Sequence, residues 1–254
     1  MDHLSASQIN LYLMCSLKYR FNYIDKLPRP FKSSALIFGS VIHSAISWLH
    51  NEQMKGLKPS LEDVYKIFDA DWYVQKDEEV IRYKDGEVEI TLLVMAREML
   101  RLYHQNPVKN AVGSEIPFTV PLIDPTTGEC LGMNLEGYID LLEKDDVIVE
   151  FKTSAQIMYQ QDVNEHLQLT AYSYAYEQLY HKPPKQLKII NFVKHKKPKM
   201  LTFETTRDKA DHKRFFAIAS KVLKGIENEV FIPKPSFMCR DCEFAGPCRD
   251  WGRS

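Results

Sequence analysis

Asp140, Glu150 and Lys152 are the residues of this chain whose types and spacing point most directly to chemistry. They fall in two runs rich in strand formers, residues 135–142 and 147–151, separated by the short polar loop Lys144-Asp145-Asp146. That pattern predicts a β-hairpin. With Glu143 opposite Val147, counting outward places Asp140 opposite Glu150, and Lys152 shares the face of Glu150 two residues further on. Directly opposed side chains on an antiparallel pair lie about 5 Å apart at Cβ, where like charges destabilise the pair. A hard divalent cation, Mg²⁺ or Mn²⁺, bridged by carboxylate oxygens offsets that repulsion. The plainer alternative is a solvated hairpin edge whose acids point into water. The flanking residues weigh against it: Ile139, Leu141, Val147, Val149 and Phe151 are expected on the opposite face, and Leu142 and Ile148 are apolar too. A strand pair buried on both sides and still carrying two acids and a lysine requires a chemical reason.

The cysteines form a second constellation. Cys239, Cys242 and Cys248 follow Pro233 and Pro235 with C-x2-C-x5-C spacing. Three clustered thiols call for a fourth. Cys15 is the best candidate, because Cys130 falls in a predicted strand where a small buried residue is expected. Four thiolates can hold either Zn²⁺ or a [4Fe-4S] cluster, and spacing alone does not decide between them. Either would clip the two ends of the chain together. Closing a loop on the order of 200 residues removes much entropy from the unfolded chain, so the expected role is structural.

The elements that position these groups follow from periodicity. Ser5 with Gln8 three residues on reads as a capping box, and Ile9, Leu13, Leu17, Phe21 and Ile24 continue at helical spacing until Pro28 and Pro30. This helix carries Cys15, and its Lys18, Tyr19, Arg20 and Tyr23 interleave aromatic and basic residues as a nucleic-acid surface does, although tyrosines on amphipathic helices usually cover a core. A second helix spans 34–53, with His43 beside its apolar stripe. Residues 60–74 and 89–104 read as further amphipathic helices. Strands follow over 112–122 and 130–142, then a helix over 163–180 bearing Gln168 and Tyr172 on one face. A second hairpin, 186–194 with 200–205, surrounds the basic loop 195–199, and a closing helix covers 207–229. The expected fold is α/β: a central mixed sheet flanked by helices, with an N-terminal helical lobe over 35–108 and a cysteine-clipped C-terminal segment over 233–254, all within a single domain, 1–254.

Composition narrows the class. A chain of 254 residues with 44% hydrophobic and 26% charged residues is ordinary for a soluble globular protein, long enough to bury roughly 70% of its unfolded surface. Residues 1–10 lack a basic start followed by an apolar core, and no apolar run approaches the ~20 residues of a membrane span. Five cysteines argue against a secreted disulfide framework, so no membrane and a cytoplasmic location are expected. The net charge of −1 announces no partner, but its distribution does. Residues 181–224 carry 11 Lys and 2 Arg against 3 acids, whereas 60–100 carry 5 basic against 11 acidic residues. Lys194, Lys196, Lys197 and Lys199 are therefore candidates for phosphate contact, with Tyr19 and Arg20.

Gly137-Tyr138-Ile139-Asp140, then Glu150-Phe151-Lys152-Thr153-Ser154, then Gln168-Leu-Thr-Ala-Tyr172 together resemble the PD-(D/E)XK nuclease superfamily. The likeness is greatest to its RecB-like branch, which includes CRISPR-associated adaptation exonucleases and the nuclease domains of bacterial helicase-nucleases, and it runs from Leu4 to Cys248. The resemblance implies a restriction-endonuclease-like core. It also implies that His43 joins Asp140, Glu150 and the Phe151 carbonyl in holding one or two Mg²⁺ or Mn²⁺ ions, with imidazole favouring Mn²⁺. Glu115 matches a position where the family often carries a glutamate. Lys152 would position or activate the attacking water, and Gln168 and Tyr172 would face the site or the DNA backbone. The resemblance favours [4Fe-4S] over zinc at Cys15, Cys239, Cys242 and Cys248.

The implied function is metal-dependent hydrolysis of DNA, as an exonuclease on single-stranded ends in repair, recombination or CRISPR adaptation, with a helicase or integrase as partner. The alternative is a catalytically idle iron-sulfur or zinc DNA-binding module serving as a structural subunit of a helicase-nuclease. The intact Asp140, Glu150 and Lys152 weigh against it.

Overall fold

The structure is a computed structural model that describes residues 2–252. In chain order, β1 (His3–Leu4), α1 (Ala6–Met14), α2 (Ser16–Tyr19) and a π turn (Arg20–Ile24) lead to β2 (Lys32–Ser33), α3 (Ser34–Met54), α4 (Leu61–Glu78), β3 (Ile81–Arg82) and α5 (Glu89–Gln105). The main strands β4 (Ala111–Ile123), β5 (Cys130–Glu143) and β6 (Val147–Ser154) follow. Then come α6 (Gln160–Asn164), α7 (Leu167–Tyr180), β7 (Gln186–Val193), β8 (Lys199–Thr205) and α8 (Lys209–Glu227), with a 3-10 turn (Phe237–Asp241) and α9 (Ala245–Asp250) closing the chain.

Six strands form one mixed sheet. β4 covers the whole of one edge of β5 in antiparallel register. The other edge is divided: β1 pairs in parallel with Asn134 and Leu135, and β6 pairs antiparallel with Leu141, Leu142 and Glu143. Between those segments β5 has no neighbouring strand, and Asp140 lies in this fork. β6 then runs parallel to β7, and β8 closes the sheet antiparallel.

The hairpin register is the one the loop dictates. Glu143 pairs with Val147, Leu142 with Ile148 and Leu141 with Val149. Asp145 and Asp146 adopt positive φ at the turn, a conformation that aspartate tolerates better than most residues. The ladder stops one step before Asp140 and Glu150 because the strands splay there.

Helices cover both faces. On one side α1, α7 and α8 pack over Ile139, Leu142, Ile148, Leu187 and Ile189. On the other, α3, α4 and α5 pack over Leu141, Val149, Phe151, Ile190 and Phe192. The period-two alternation of β6 and β7 sends side chains to both layers. In β5 the alternation loses step at Asp140: Ile139 and Leu141 join opposite layers, where strict alternation predicts a shared face. On the adjacent strand Glu115, between Ser114 and Ile116 that pair with Leu141 and Ile139, has φ +50°, a left-handed conformation uncommon for a residue with a Cβ.

Two predicted helices are interrupted. The first breaks at Cys15, whose backbone is extended at φ −163° and ψ 101°. The segment near the other end of the chain takes over the bonding: Leu17 N donates to Ile232 O at 3.2 Å, and Ser16 bonds both backbone groups of Ile232. The helix predicted over 163–180 divides into α6 and α7 around His166. There the buried guanidinium of Arg207 donates to Val163 O at 2.8 Å and to Thr170 Oγ1 at 2.8 Å, satisfying carbonyls that would otherwise be orphaned. Cys130, expected buried, is exposed at the start of β5.

Candidate active site

The fork in β5 and the face of α3 build the site. Gly39, Ser40, His43, Ser44 and Ser47 recur along one side of α3 and line a cleft of about 790 Å³ that also holds Glu115, Lys152 and Thr153. Small side chains on this face keep the cleft open. A Cβ on Gly39 would stand 3.4 Å from Thr153 Oγ1, so the helix lies in contact with β6. A second cleft, of about 390 Å³, reaches the same fork from the other side and is bordered by Ser5, Ser7, Tyr138, Asp140, Gln168 and Tyr172.

Between the clefts His43, Glu115 and Asp140 each offer a ligand atom, all within 4.8 Å of one another. His43 Nδ1 lies 3.3 Å from Asp140 Oδ2. The same oxygen accepts a hydrogen bond from Phe151 N at 2.9 Å, where a ladder bond would otherwise continue. The Phe151 carbonyl is within hydrogen-bonding reach of the imidazole.

Glu150 is fully buried and forms an ion pair with Lys152 Nζ. Asp140 and the Tyr172 hydroxyl also come within hydrogen-bond reach of this carboxylate, though not in geometry good enough to satisfy either oxygen fully. Lys152 Nζ also donates to Gln168 Oε1 at 2.7 Å, and Gln168 Nε2 donates to Tyr172 OH at 2.7 Å. Tyr172 is held in turn by the edge of Phe118, 6.0 Å away between ring centroids. Phe118 lies flat against β5 because Gly137 has no side chain: a Cβ there would stand 2.7 Å from Phe118 Cζ.

Burial pushes Asp140 well above the usual carboxylate range, and the charge of Glu150 adds to that push. Burial is the largest influence on Glu150 as well, but the charge and hydrogen bond of Lys152, with His43 and a hydrogen bond from Asp140, together leave this carboxyl below its ordinary value. Burial and the lysine thus push the two acids' proton affinities apart. Desolvation, then Glu150, raises Glu115. Desolvation lowers His43 despite the nearby Glu150, so its imidazole is neutral and keeps a lone pair.

His43, Asp140, Glu150, Phe151, Lys152, Gln168 and Tyr172 are therefore brought to one place, with Glu115 beside them. The basic loop is not. His195, Lys196 and Pro198 line a separate groove with Tyr65, Ile90 and Val94. Lys197 and Lys199 are exposed, and Lys194 Nζ sits over the Phe38 ring at 4.8 Å. Tyr19 is 0% exposed, which corrects its assignment as a nucleic-acid contact: its ring faces the core, in edge contact with Tyr12. Arg20 pairs with Asp25 at 3.1 Å and lies over the Phe231 ring.

His166 escaped the sequence reading. Burial and the Lys152 charge lower its pKa to about 4, and its Nδ1 is buried without a hydrogen-bond partner. No sequence signal marks it, because the break between α6 and α7 that turns it inward is set by Arg207.

Cys15, Cys239, Cys242 and Cys248 line one cavity of about 290 Å³. The break between α1 and α2 falls at Cys15, and Ser236 N donates to Cys239 Sγ at 3.3 Å. Burial raises the Cys242 and Cys248 thiols, and neighbouring cysteines add to both shifts. Among the described residues, no three of these sulfurs lie within 4.8 Å of one another.

Residues 3–249 match the PD-(D/E)XK nuclease superfamily. No curated protein sequence matches the chain. Among solved structures, the fold is similar to that of a Eubacterium rectale protein named as a candidate exonuclease. It is 14% identical, with a TM-score of 0.60 over 98% of this chain and 88% of the other. The crystal structure of SSO0001 aligns over 94% of this chain and 90% of its own at 11% identity, with a TM-score of 0.38. No helix among the described residues is long and apolar enough to cross a membrane.

Proposed function

We propose that this chain, which belongs to the PD-(D/E)XK nuclease superfamily, is a divalent-metal-dependent nuclease that degrades DNA from single-stranded ends. The observation that carries this reading is Glu150. A carboxylate with no exposed surface, crowded against a second buried acid and balanced by one lysine, is costly to bury even with Asp140 and the Tyr172 hydroxyl within hydrogen-bond reach. A cation beside it removes that cost. The donor set of His43, Glu115, Asp140, Glu150 and the Phe151 carbonyl suits Mn²⁺ or Mg²⁺, the imidazole favouring Mn²⁺. Such an ion, when bound, lowers the pKa of water and stabilises charge on a scissile phosphate.

The remaining work falls to the chain itself. Lys152, fixed between Glu150 and Gln168, presents an ammonium to the charge that develops on the phosphate. Tyr172 orients Gln168, which orients Lys152. Neutral His43 holds Asp140 in place and leaves a lone pair for a ligand role.

At the cysteine cavity we favour [4Fe-4S] over zinc. The four cysteines around one cavity support a bound group with a structural role in joining α1 to the C-terminal segment. A helicase that exposes strand ends, or an integrase that consumes trimmed ones, is the partner this chemistry calls for.

The experiment is digestion of end-labelled linear single-stranded DNA beside covalently closed circular single strands, each in Mn²⁺ and in Mg²⁺. Loss of the linear strand with the circle intact, faster in Mn²⁺, is the expected result. Equal cutting of both forms would establish an endonuclease instead, and equal rates in both metals would count against His43 as a ligand.

A further inference from the structure

Ala35 and Leu36, on the first turn of α3, border two clefts at once. On one side lies the cleft containing His43, Glu115 and Lys152. On the other lies a cleft of about 320 Å³ that extends to the cysteine segment. Lys18, Arg29, Lys32 and Lys84 line it against Asp241 and Glu243. Two of these cations are already matched: Lys18 Nζ is 2.8 Å from Glu243, and Lys32 Nζ is 2.6 Å from Glu79.

Arg29 and Lys84 enter no ion pair among the described residues. The guanidinium of Arg29 donates instead to the neutral Asn22 Oδ1, with Nε at 3.1 Å. Lys84 also adds to the burial that lowers the Lys194 ammonium, although Lys194 itself does not line this cleft. Beside these charges Phe237 is 90% exposed and Leu36 is 59% exposed. The ring of Phe31 adds a third apolar surface, with the Arg82 guanidinium 4.7 Å from its centroid. A phenylalanine left in water forgoes the gain of burial. An open aromatic ring among unpaired cations, in a cleft that shares Ala35 and Leu36 with the cleft of the acid site, suits a ligand that alternates flat faces with negative charges. Single-stranded nucleic acid is such a ligand. A duplex has no free base face to offer.

We propose that this cleft is the track along which a single DNA strand enters the acid site, with Arg29 and Lys84 taking phosphates and Phe237 stacking a base. The proposal rests on the nuclease reading and adds the substrate's path to it. The basic loop 195–199, the stretch of densest positive charge, borders neither cleft.

The test is fluorescence anisotropy of a labelled 15-nucleotide oligothymidylate with the full chain, without added divalent ion, across a salt series. Each phosphate contact on a single strand contributes about 0.7 to the slope of log affinity against log salt, so Arg29→Gln with Lys84→Gln should shallow the slope by about 1.4 and weaken binding roughly tenfold or more at moderate salt. Phe237→Ala should weaken binding about fivefold or more, with the slope kept. Lys221→Gln, exposed on α8, should bind as wild type does. Thermal melts report whether each variant is folded. Wild-type affinity and slope in the folded cleft variants, or their loss on Lys196→Gln with Lys197→Gln instead, would overturn the track. Cleavage of the same strand by wild type in Mn²⁺ is scored separately: no cleavage overturns the nuclease reading, while the binding pattern still decides the track.

Discussion

Replacing Glu150 with Gln tests whether the buried acid belongs to an ion site. Glu150 has no exposed surface, and one lysine is the cation paired with its carboxylate. If a divalent ion is its missing partner, the ion binds the folded chain and not the unfolded one, and at 100 times Kd it stabilises the fold by about 2.7 kcal/mol. For a chain of this size each kcal/mol moves Tm by about 2–4 °C, so saturating Mn²⁺ should raise wild-type Tm by about 5–11 °C. Glu150→Gln preserves shape and removes the charge. A hundredfold loss of affinity would leave about 0.4 kcal/mol of stabilisation at the same Mn²⁺ concentration, a shift of about 1 °C. Differential scanning fluorimetry with and without Mn²⁺ gives each difference within one variant, so the cost of leaving Lys152 unpaired cancels. Equal Mn²⁺ shifts in wild type and Glu150→Gln would refute the reasoning and move the ion elsewhere.

Three further outcomes follow from particular residues. Glu115 sits at φ +50°, which costs a residue with a Cβ about 1 kcal/mol or more; urea denaturation should therefore find Glu115→Gly more stable than Glu115→Ala by about that amount, the reverse of the usual order in a strand. Gly137→Ala would drive a Cβ into Phe118 and cost about 1–3 kcal/mol of overpacking. Cleavage should fall as Tyr172 shifts, and adding Phe118→Leu should restore part of both; an unaltered melt and rate would contradict the contact. Buried His50, bonded to Tyr103 OH at 2.5 Å, has its pKa lowered by burial to about 4. The unfolded chain takes up the proton first, so stability present above about pH 6.5 is lost as pH falls toward 4. Between about pH 7.5 and pH 5 that amounts to about 2 kcal/mol, and His50→Gln should show a correspondingly smaller drop in its urea midpoint.

Much of this architecture is legible in the chain because local rules and tertiary structure agree. The three-residue loop fixed which side chains of β5 and β6 meet, and apolar residues on both sides of that hairpin marked it as buried on both faces. What was not legible depends on distant partners. No local signal breaks a helix at Cys15; the break arises where Ser16 and Leu17 bond Ile232. His166 turns inward because Arg207 takes the carbonyls around it. Periodicity placed Tyr19 on a helix but could not tell which face the core would claim. The charge count drew attention to residues 195–199, whereas the cleft that joins the acid site takes its cations singly from Lys18, Arg29, Lys32 and Lys84.

The central claim is that Asp140 and Glu150 hold a catalytic ion while the cysteines hold a separate structural group. The most direct measurement is degradation of end-labelled single-stranded DNA in Mn²⁺ by anaerobically purified wild type, Asp140→Ala and Glu150→Ala, with the visible spectrum of each taken first. The account predicts that both variants lose cleavage while all three samples share the same brown absorbance near roughly 400 nm expected of an iron-sulfur protein. Full activity in either folded variant, or a coloured and folded wild type that leaves the DNA intact, would contradict it.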